Sequence, residues 1–424
     1  MKNFLKSIVA FMLALAARSV VRRYHPHIVM VTGSVGKTST KDAVAAILSS
    51  RFLVRKSDKS FNSEFGVPFT ILGVTNPWCD PFEWVAIIKS AFALLILPNH
   101  YPNMLVLEVG ADRPGDLARI LRMVTPEAVV VTRLPEISVH IEAYTTPEAV
   151  REEEFSPAHA LSTHQPLIVC ADDQYALDMA VRTPARIISY GTTNSATVRV
   201  TDCGFYESSE KVSGMQANVH MDNNQGELVV KGSVGSVQLL PTAAALAVAS
   251  AYQISLPDAL KALEEYEPPP GRGRLLEGEN GSVIIDDSYN SSPAAAEEAL
   301  ATLKSFPHAK RRIAVLGDML ELGRYSVMEH ERIGTLARTS ADIVIAVGIR
   351  ARTFAVAHGD AEVMQFESSQ AAAEALPGLV REGDVILVKG SQSIRTERIV
   401  EALLAHPADA VRLVRQEKAW KRKM

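Results

Sequence analysis

Seven consecutive residues, Thr32-Gly33-Ser34-Val35-Gly36-Lys37-Thr38, combine two glycines, a lysine and a hydroxyl in a spacing that can cradle a phosphate chain. They follow the apolar run IVMVT at 28–32 and precede a helical pattern over about 39–50, so the loop joins a strand to a helix N-terminus. Glycines permit the tight turn, while backbone N–H groups and the helix N-terminus favour negative charge. Lys37 can reach terminal phosphates, and the Thr38 hydroxyl can coordinate Mg²⁺. Gly33, Ser34, Val35, Gly36, Lys37, Thr38 and Ser39 are therefore the candidate nucleotide-binding residues. The full G-x-x-x-x-G-K-[ST] pattern would place glycine at 31, where this chain has Val31.

Glu108 closes the apolar run MLVLEVG at 104–110. A carboxylate buried there is costly unless paired or metal-bound, and Mg²⁺ prefers such oxygen ligands. Asp287, Asn290, Asp318 and Lys389 follow the carboxyl ends of further apolar runs, the edge where open α/β sheets bind ligands.

The elements that must position these residues read as two successive α/β units. From His27 onward, β-branched runs at 28–32, 104–110, 128–132 and 166–170 alternate with helical patterns, which predicts a mostly parallel sheet covered by helices. Between 196 and 240, period-two segments such as TVRVTD and GELVVKG predict an antiparallel hairpin added to this unit. Helices are expected over 243–252 and 257–266, before a Pro268-Pro269-Pro270-Gly271-Arg272-Gly273 linker. A second alternation at 282–287, 312–317, 342–348 and 384–390 predicts a Rossmann-like doubly wound unit. The expected organisation is an N-terminal amphipathic helix (1–26), a central ATP-binding domain (27–267) and a C-terminal Rossmann-like domain (268–424).

A chain of 424 residues, 47% hydrophobic and 22% charged, can bury two cores, and its net charge of −4 leaves no global basic field for nucleic acid. Cys79, Cys170 and Cys203 are far apart and form no CxxC pair, which argues against a disulfide framework or zinc site and fits a reducing cytoplasm. The apolar run at 8–17 is ten residues, about half of a membrane span, so residues 1–26 are expected to pack on the domain. A weak interfacial contact, with Arg18, Arg22 and Arg23 near lipid headgroups, is the alternative. The basic stretch 412–423 is expected to be a solvated tail with Trp420 packed on the domain, a lipid-phosphate or nucleic-acid patch being the alternative.

The TGSxGKT loop resembles that of the Mur ligase superfamily, the cytoplasmic enzymes that build the peptidoglycan stem peptide. Further segments follow in family order. Lys59-Ser60-Phe61-Asn62-Ser63-Glu64-Phe65-Gly66-Val67-Pro68 looks like the family's substrate-side loop. Leu107-Glu108-Val109-Gly110 and Val139-His140-Ile141-Glu142 are similar to the segments that supply a metal-binding glutamate and histidine. Asp286-Asp287-Ser288-Tyr289-Asn290-Ser291-Ser292-Pro293, the LGDMLELG stretch at 316–323 and Val388-Lys389-Gly390-Ser391 are similar to loops of the D-alanyl-D-alanine-adding branch, the MurF type.

The resemblance implies an ATP- and Mg²⁺-dependent, ADP-forming ligase. In such an enzyme the acceptor carboxylate attacks the γ-phosphate, and an amine then displaces phosphate from the acyl phosphate. It implies Lys37, Glu108, His140, Glu154 and Arg272 as catalytic residues, Thr38, Glu108 and His140 at the metal, and Asp287 and Asn290 at ribose or adenine. Ser60, Asn62, Asp318, Lys389 and Ser391 are implied on the substrate side, and His330 has a family counterpart read as structural. Expected partners are a UDP-MurNAc-peptide-like acceptor and D-alanyl-D-alanine or another amino acid, with a monomeric enzyme in the cytoplasm.

Three departures qualify this. By count Glu154, fourteen residues after His140, stands where the family usually carries a carbamylated lysine, and its side chain is roughly 4 Å shorter. The family's GxHNxxN stretch reads Leu239-Leu240-Pro241-Thr242-Ala243-Ala244-Ala245. About 27 residues precede the first strand, so recognition of the UDP sugar is expected to be absent, minimal or supplied by a partner. A ligase of the same chemistry on another acceptor, such as a polyglutamate-forming one, and a catalytically impaired nucleotide-binding scaffold stay open as alternatives.

Overall fold

The structure is a computed structural model that describes residues 2–58, 62–77 and 80–421. The candidate substrate residue Ser60, Cys79 and the basic residues Arg422 and Lys423 lie outside the described residues.

Two α/β layers are built on two sheets. The first has nine strands: β1 (His27–Thr32), β2 (Val54–Lys56), β3 (Met104–Glu108), β4 (Ala128–Val131), β5 (Pro166–Cys170), β6 (Arg186–Gly191), β7 (Val198–Ser208), β8 (Lys211–Met221) and β9 (Asn224–Lys231). Their order is β2-β3-β1-β4-β5-β6-β7-β8-β9, parallel through β7 and antiparallel over β7, β8 and β9. β3 and β4 are buried at every residue, as expected of strands covered on both faces. The chain fills one side of β1 with β3 and β2 and then crosses to β4 on the other side. That reversal opens a crevice beyond the carboxyl end of β1, where the glycine loop sits.

The expected hairpin at 196–240 is instead a three-stranded meander. Its middle strand escapes notice because the β7–β8 turn is made by Ser209 and Glu210 at φ 53° and 64°, where glycine or asparagine would normally announce the turn.

The second sheet has six strands: β10 (Arg274–Gly278), β11 (Ser282–Asp287), β12 (Arg311–Gly317), β13 (Ile343–Val347), β14 (Glu362–Phe366) and β15 (Asp384–Lys389). Their order is β10-β11-β15-β12-β13-β14, with only β10 antiparallel to its neighbour. Asp287 and Lys389 are register partners on adjacent strands, so their side chains leave the sheet on one face.

Helices α1 (Lys2–Tyr24), α2 (Lys37–Ser49), α3 (Gly66–Leu72), α4 (Pro81–Ile96), α5 (Asp116–Leu121), α6 (Pro147–Phe155), α7 (Gln174–Ala180) and α8 (Ser236–Ala251) cover the first sheet. α2 begins two residues earlier than the pattern suggests, directly at Lys37. α1, α3 and α4 close one face, where Leu13, Ala17 and Val20 join Ile87, Ala91 and Leu94 in a single apolar cluster with Met30 and Leu105. α8 runs seven residues further toward the N-terminus than expected and contains Pro241.

Candidate active site

The glycine loop is shaped by its neighbours before any ligand is considered. Ser34 N donates to the Arg133 carbonyl at 2.9 Å, and Thr132 donates from both N and Oγ1 to the Thr32 carbonyl at 2.9 Å. Gly33 sits at φ 110°, and a Cβ there would collide with the Thr132 hydroxyl and lie 3.0 Å from the Thr132 backbone nitrogen. Gly36, at φ 86°, opens α2 without a capping side chain, so first-turn N–H groups are left facing the loop. Pro241 of α8 lies over the same turn, 3.7 Å from where a Gly36 Cβ would sit.

Lys37 Nζ donates to the Gly33 carbonyl and lies 3.8 Å from Glu154 Oε1. Asn62 and Lys37 meet over Gly110. A Cβ on that glycine would be 2.9 Å from Asn62 Nδ2 and 3.5 Å from Lys37 Cε, so the bare backbone is what lets them approach. Asn62 is further fixed by its carbonyl, which accepts from Gly110 N at 3.1 Å.

Glu108 is buried at the end of β3. Its Oε1 accepts from the Thr38 hydroxyl at 3.1 Å, Lys41 Nζ stands 3.9 Å from Oε2, and its backbone N donates to Ser57 Oγ at 3.1 Å. Burial pushes its carboxyl above the ordinary range, against the pull of Lys41, Lys37, Arg272 and the Thr38 hydroxyl. Among the described residues Oε2 has no hydrogen-bond partner, the Lys41 ammonium standing beyond hydrogen-bond reach. A buried carboxylate oxygen left this way is costly, on the order of several kcal/mol, and a cation removes the cost. Thr38 and Glu108 therefore suit Mg²⁺, which takes few protein ligands and completes its shell with phosphate and water. Among the described residues no three His, Cys, Asp or Glu side chains converge as a metal cage.

The acidic helix α6 separates its glutamates. Glu152 is exposed, Glu153 accepts from Gly115 N and Leu117 N at 3.0 Å each at the start of α5, and Glu154 is buried. Glu154 accepts from the Ser34 hydroxyl, itself 2.9 Å from the Ser138 hydroxyl, and its backbone carbonyl accepts from Thr32 Oγ1 at 2.6 Å. The Glu154 carboxyl group thus stands beside the glycine loop.

His140, at φ 68°, is paired across the cleft with Glu321 and has Asp112 at 3.6 Å. Burial alone would depress its imidazole, but the hydrogen bond and charge of Glu321, with Asp112 behind it, hold its pKa above the ordinary histidine value. The structure thus pairs His140 with Glu321 and Asp112, and Glu108 with Thr38 and Lys41; Lys37 is a charge felt by both.

On the second sheet Lys389 lies under the cleft, buried, with Nζ 2.6 Å from Asp287 Oδ2 and 3.0 Å from the Asn290 carbonyl. It orders the 287–290 loop. Asp318 accepts from Ala351 N at 2.8 Å, and Ser391 Oγ accepts from Leu320 N at 2.8 Å, so both brace loops at this edge. Arg272 lies over the Tyr289 ring at 4.2 Å, and its charge acts on both Glu108 and Lys389, which places it between the two sheets. A cavity of about 430 Å³ between the units is lined by His140, Asn290, Glu321, Ser391, Arg395 and Trp420, among others. His330 is structural as expected: Nε2 accepts from Met319 N at 3.0 Å, Nδ1 lies 2.7 Å from the Ser326 carbonyl, and burial lowers its pKa.

Sequence reasoning missed Lys41, Glu321, Arg395 and the buried Arg415–Glu397 pair, whose guanidinium donates to the Ser288 carbonyl at 3.2 Å. Lys41 was findable, lying one helical turn past Lys37 on the same face. The others are brought in by tertiary contacts. Trp420 packs on the domain as expected, with Arg395 5.5 Å from its ring, whereas Arg415 of the same stretch is buried and not solvated.

Residues 31–249 match the family described as the Mur ligase middle domain, and residues 271–392 match the Mur ligase glutamate ligase domain. The chain is 28% identical over 403 residues to the UDP-N-acetylmuramoyl-tripeptide–D-alanyl-D-alanine ligase of Mycobacterium tuberculosis, covering 89% of this chain and 73% of that one. It is 29% identical over 398 residues to the enzyme of the same name from Escherichia coli, covering 90% and 78%. The crystal structure of MurF ligase from Thermotoga maritima in complex with ADP superposes with a TM-score of 0.77 at 25% identity, covering 93% of this chain and 83% of that one.

Proposed function

The chain belongs to the Mur ligase family, and from that membership we propose that it joins D-alanyl-D-alanine to the peptide carboxylate of a UDP-MurNAc-tripeptide-like acceptor. It is an ATP-dependent, ADP-forming ligase. The observation that carries the proposal is the juxtaposition of a glycine loop, Lys37 and the orphaned Glu108 oxygen with a second-sheet loop held by the Asp287–Lys389 pair. We place the enzyme in the cytoplasm, as a monomer whose lobes are residues 27–267 and 268–424.

The N–H groups opening α2 hold the β- and γ-phosphates, and Lys37 swings from the Gly33 carbonyl to the γ-phosphate as negative charge builds there. Thr38 and Glu108 would hold Mg²⁺, which supplies charge neutralisation at the phosphates; His140 joins them if the Glu321 contact yields. Glu154 supplies fixed negative charge beside the loop in place of the carbamylated lysine. Arg272 approaches from the linker side, and Asp287 and Asn290 hold the nucleoside. Asn62 and Ser60 guide the acceptor. Lys389 acts through Asp287 and Asn290, with Asp318 and Ser391 shaping the same edge, while Arg395, paired with Glu397, lines the cavity that takes the incoming carboxylate.

Attack of the acceptor carboxylate on the γ-phosphorus breaks the bond to ADP and leaves an acyl phosphate. The amine then adds at the acyl carbon, phosphate departs, and the amine proton goes to solvent. Holding both substrates in one cleft supplies the proximity these steps need.

The test is product mass. With ATP, Mg²⁺, UDP-MurNAc-tripeptide and D-alanyl-D-alanine, the wild type yields the pentapeptide, and Glu108→Gln lowers the rate about 100-fold. Product with a single amino acid or glutamate but none with the dipeptide would reject the proposed donor.

A further inference from the structure

The outer faces of α1 and α4 are apolar where a water-facing helix should be polar. On α1 the outward stripe reads Ile8, Phe11, Met12 and Leu15, which are 41%, 69%, 55% and 56% exposed. It continues at helical spacing into the exposed Arg18 and Arg22. On α4 the outward stripe reads Phe82, Val85, Phe92 and Ile96, which are 85%, 64%, 58% and 68% exposed, with Lys89 exposed among them. Both helices already have a buried face, because Leu13, Ala17 and Val20 on one and Ile87, Ala91 and Leu94 on the other enter the same core cluster. The exposed residues are therefore a second apolar face, and packing on this sheet does not account for it.

The two stripes form one surface. Arg23 Nη1 donates to the Leu95 carbonyl and the Tyr24 hydroxyl to the Leu94 carbonyl, both at 2.8 Å, so the helices lie side by side with their C-terminal ends together. α1 turns directly into β1, and α4 precedes β3, so both run against the strands. Their N-terminal ends thus point to the sheet edge that carries the glycine loop. α1 is 23 residues, about 35 Å, against roughly 20 Å for β1, so the apolar end of α1 reaches past that edge.

We propose that the outer face of α1 and α4 docks on an anionic lipid surface, with the apolar side chains among the acyl chains and Arg18, Arg22 and Lys89 at the headgroups. Charge favours this occupant. α1 carries no acidic residue, and the exposed Arg18, Arg22, Arg23 and Lys89 beside the apolar stripes outnumber the two exposed acids at the N-terminal end of α4, Asp80 and Glu83. A second copy stacked on this face would bring the same arginines toward one another. No described helix is long and apolar enough to cross a membrane, so the contact lies in the surface plane. The proposal is independent of which substrates the cleft takes.

Flotation of the full chain with vesicles decides it. The wild type binds phosphatidylglycerol-containing vesicles at least about tenfold better than pure phosphatidylcholine ones, and added salt weakens the binding. Phe11→Asp with Leu15→Asp, and separately Phe92→Asp with Ile96→Asp, lower flotation about tenfold or more, while ATP-dependent ligation of soluble substrates and the thermal midpoint stay within error. Arg18→Glu with Arg22→Glu lowers it without changing secondary structure. Three results would each overturn the assignment: no flotation with either vesicle, equal flotation on neutral lipid, or a concentration-dependent dimer that the same substitutions abolish.

Discussion

Asp286 and Asp287 are neighbours in sequence with opposite surroundings. Asp287 has the Lys389 ammonium at 2.6 Å, whereas Asp286 Oδ1 accepts from Ser288, through its hydroxyl at 2.5 Å and its amide at 3.1 Å. Burial lifts the Asp286 carboxyl from 3.8 to about 6, against the pull of those two hydrogen bonds. The folded chain then holds this proton more tightly than the unfolded one, so Asp286 costs stability above pH 6, and the cost fades as the pH falls from 6 toward 4. Asp286→Asn is expected to gain stability relative to wild type by about 1 kcal/mol more at pH 8 than at pH 5, read from urea midpoints at the two values. A gain that is equal at both, or larger at pH 5, would contradict the burial argument. Of the site residues, the gathering of Lys37, Thr38 and Glu108 was legible because it follows from a local loop and a strand end. The positioning role of Lys389 was not, since its partner Asp287 lies 102 residues away and meets it only through strand register.

At the scale of elements, the glycine loop depends on one backbone position. Gly33 combines φ 110° with contact against Thr132, so Gly33→Ala strains the backbone and collides with β4's continuation at once. The substitution is expected to cost about 1–3 kcal/mol in stability and to weaken ATP binding more than tenfold, by calorimetric titration and thermal melts. Unchanged affinity would mean that the loop tolerates another path. The central parallel strands were readable because burial on both faces makes them continuous apolar runs, whereas the partly exposed β2, β6 and β14 were missed. β8 was not, because its half-exposed faces and its positive-φ Ser209-Glu210 turn carry no local signature. The helices α3 and α4 were also missed. α4 is apolar on both its buried and its outward faces, which erases the periodicity that marks an amphipathic helix.

In the whole molecule the two units already meet. Arg133 pairs with Glu298 and His140 with Glu321 across the cleft, and Glu142 N donates to the Glu321 carbonyl at 3.4 Å. The order of two α/β units and the proline–glycine segment between the sheets were legible from alternation and composition. Which side chains span the cleft was not, because Glu298 carries no local signature, the motif around Glu321 does not name its partner, and both matter only once the second sheet sits over the first. The central claim is that this cleft activates a carboxylate by phosphorylating it. Acceptor whose peptide carboxylate is labelled with ¹⁸O should transfer one labelled oxygen to the phosphate released in each turnover, detected by mass spectrometry or by the ³¹P isotope shift. Unlabelled phosphate, released while the amide product still forms, would contradict the account.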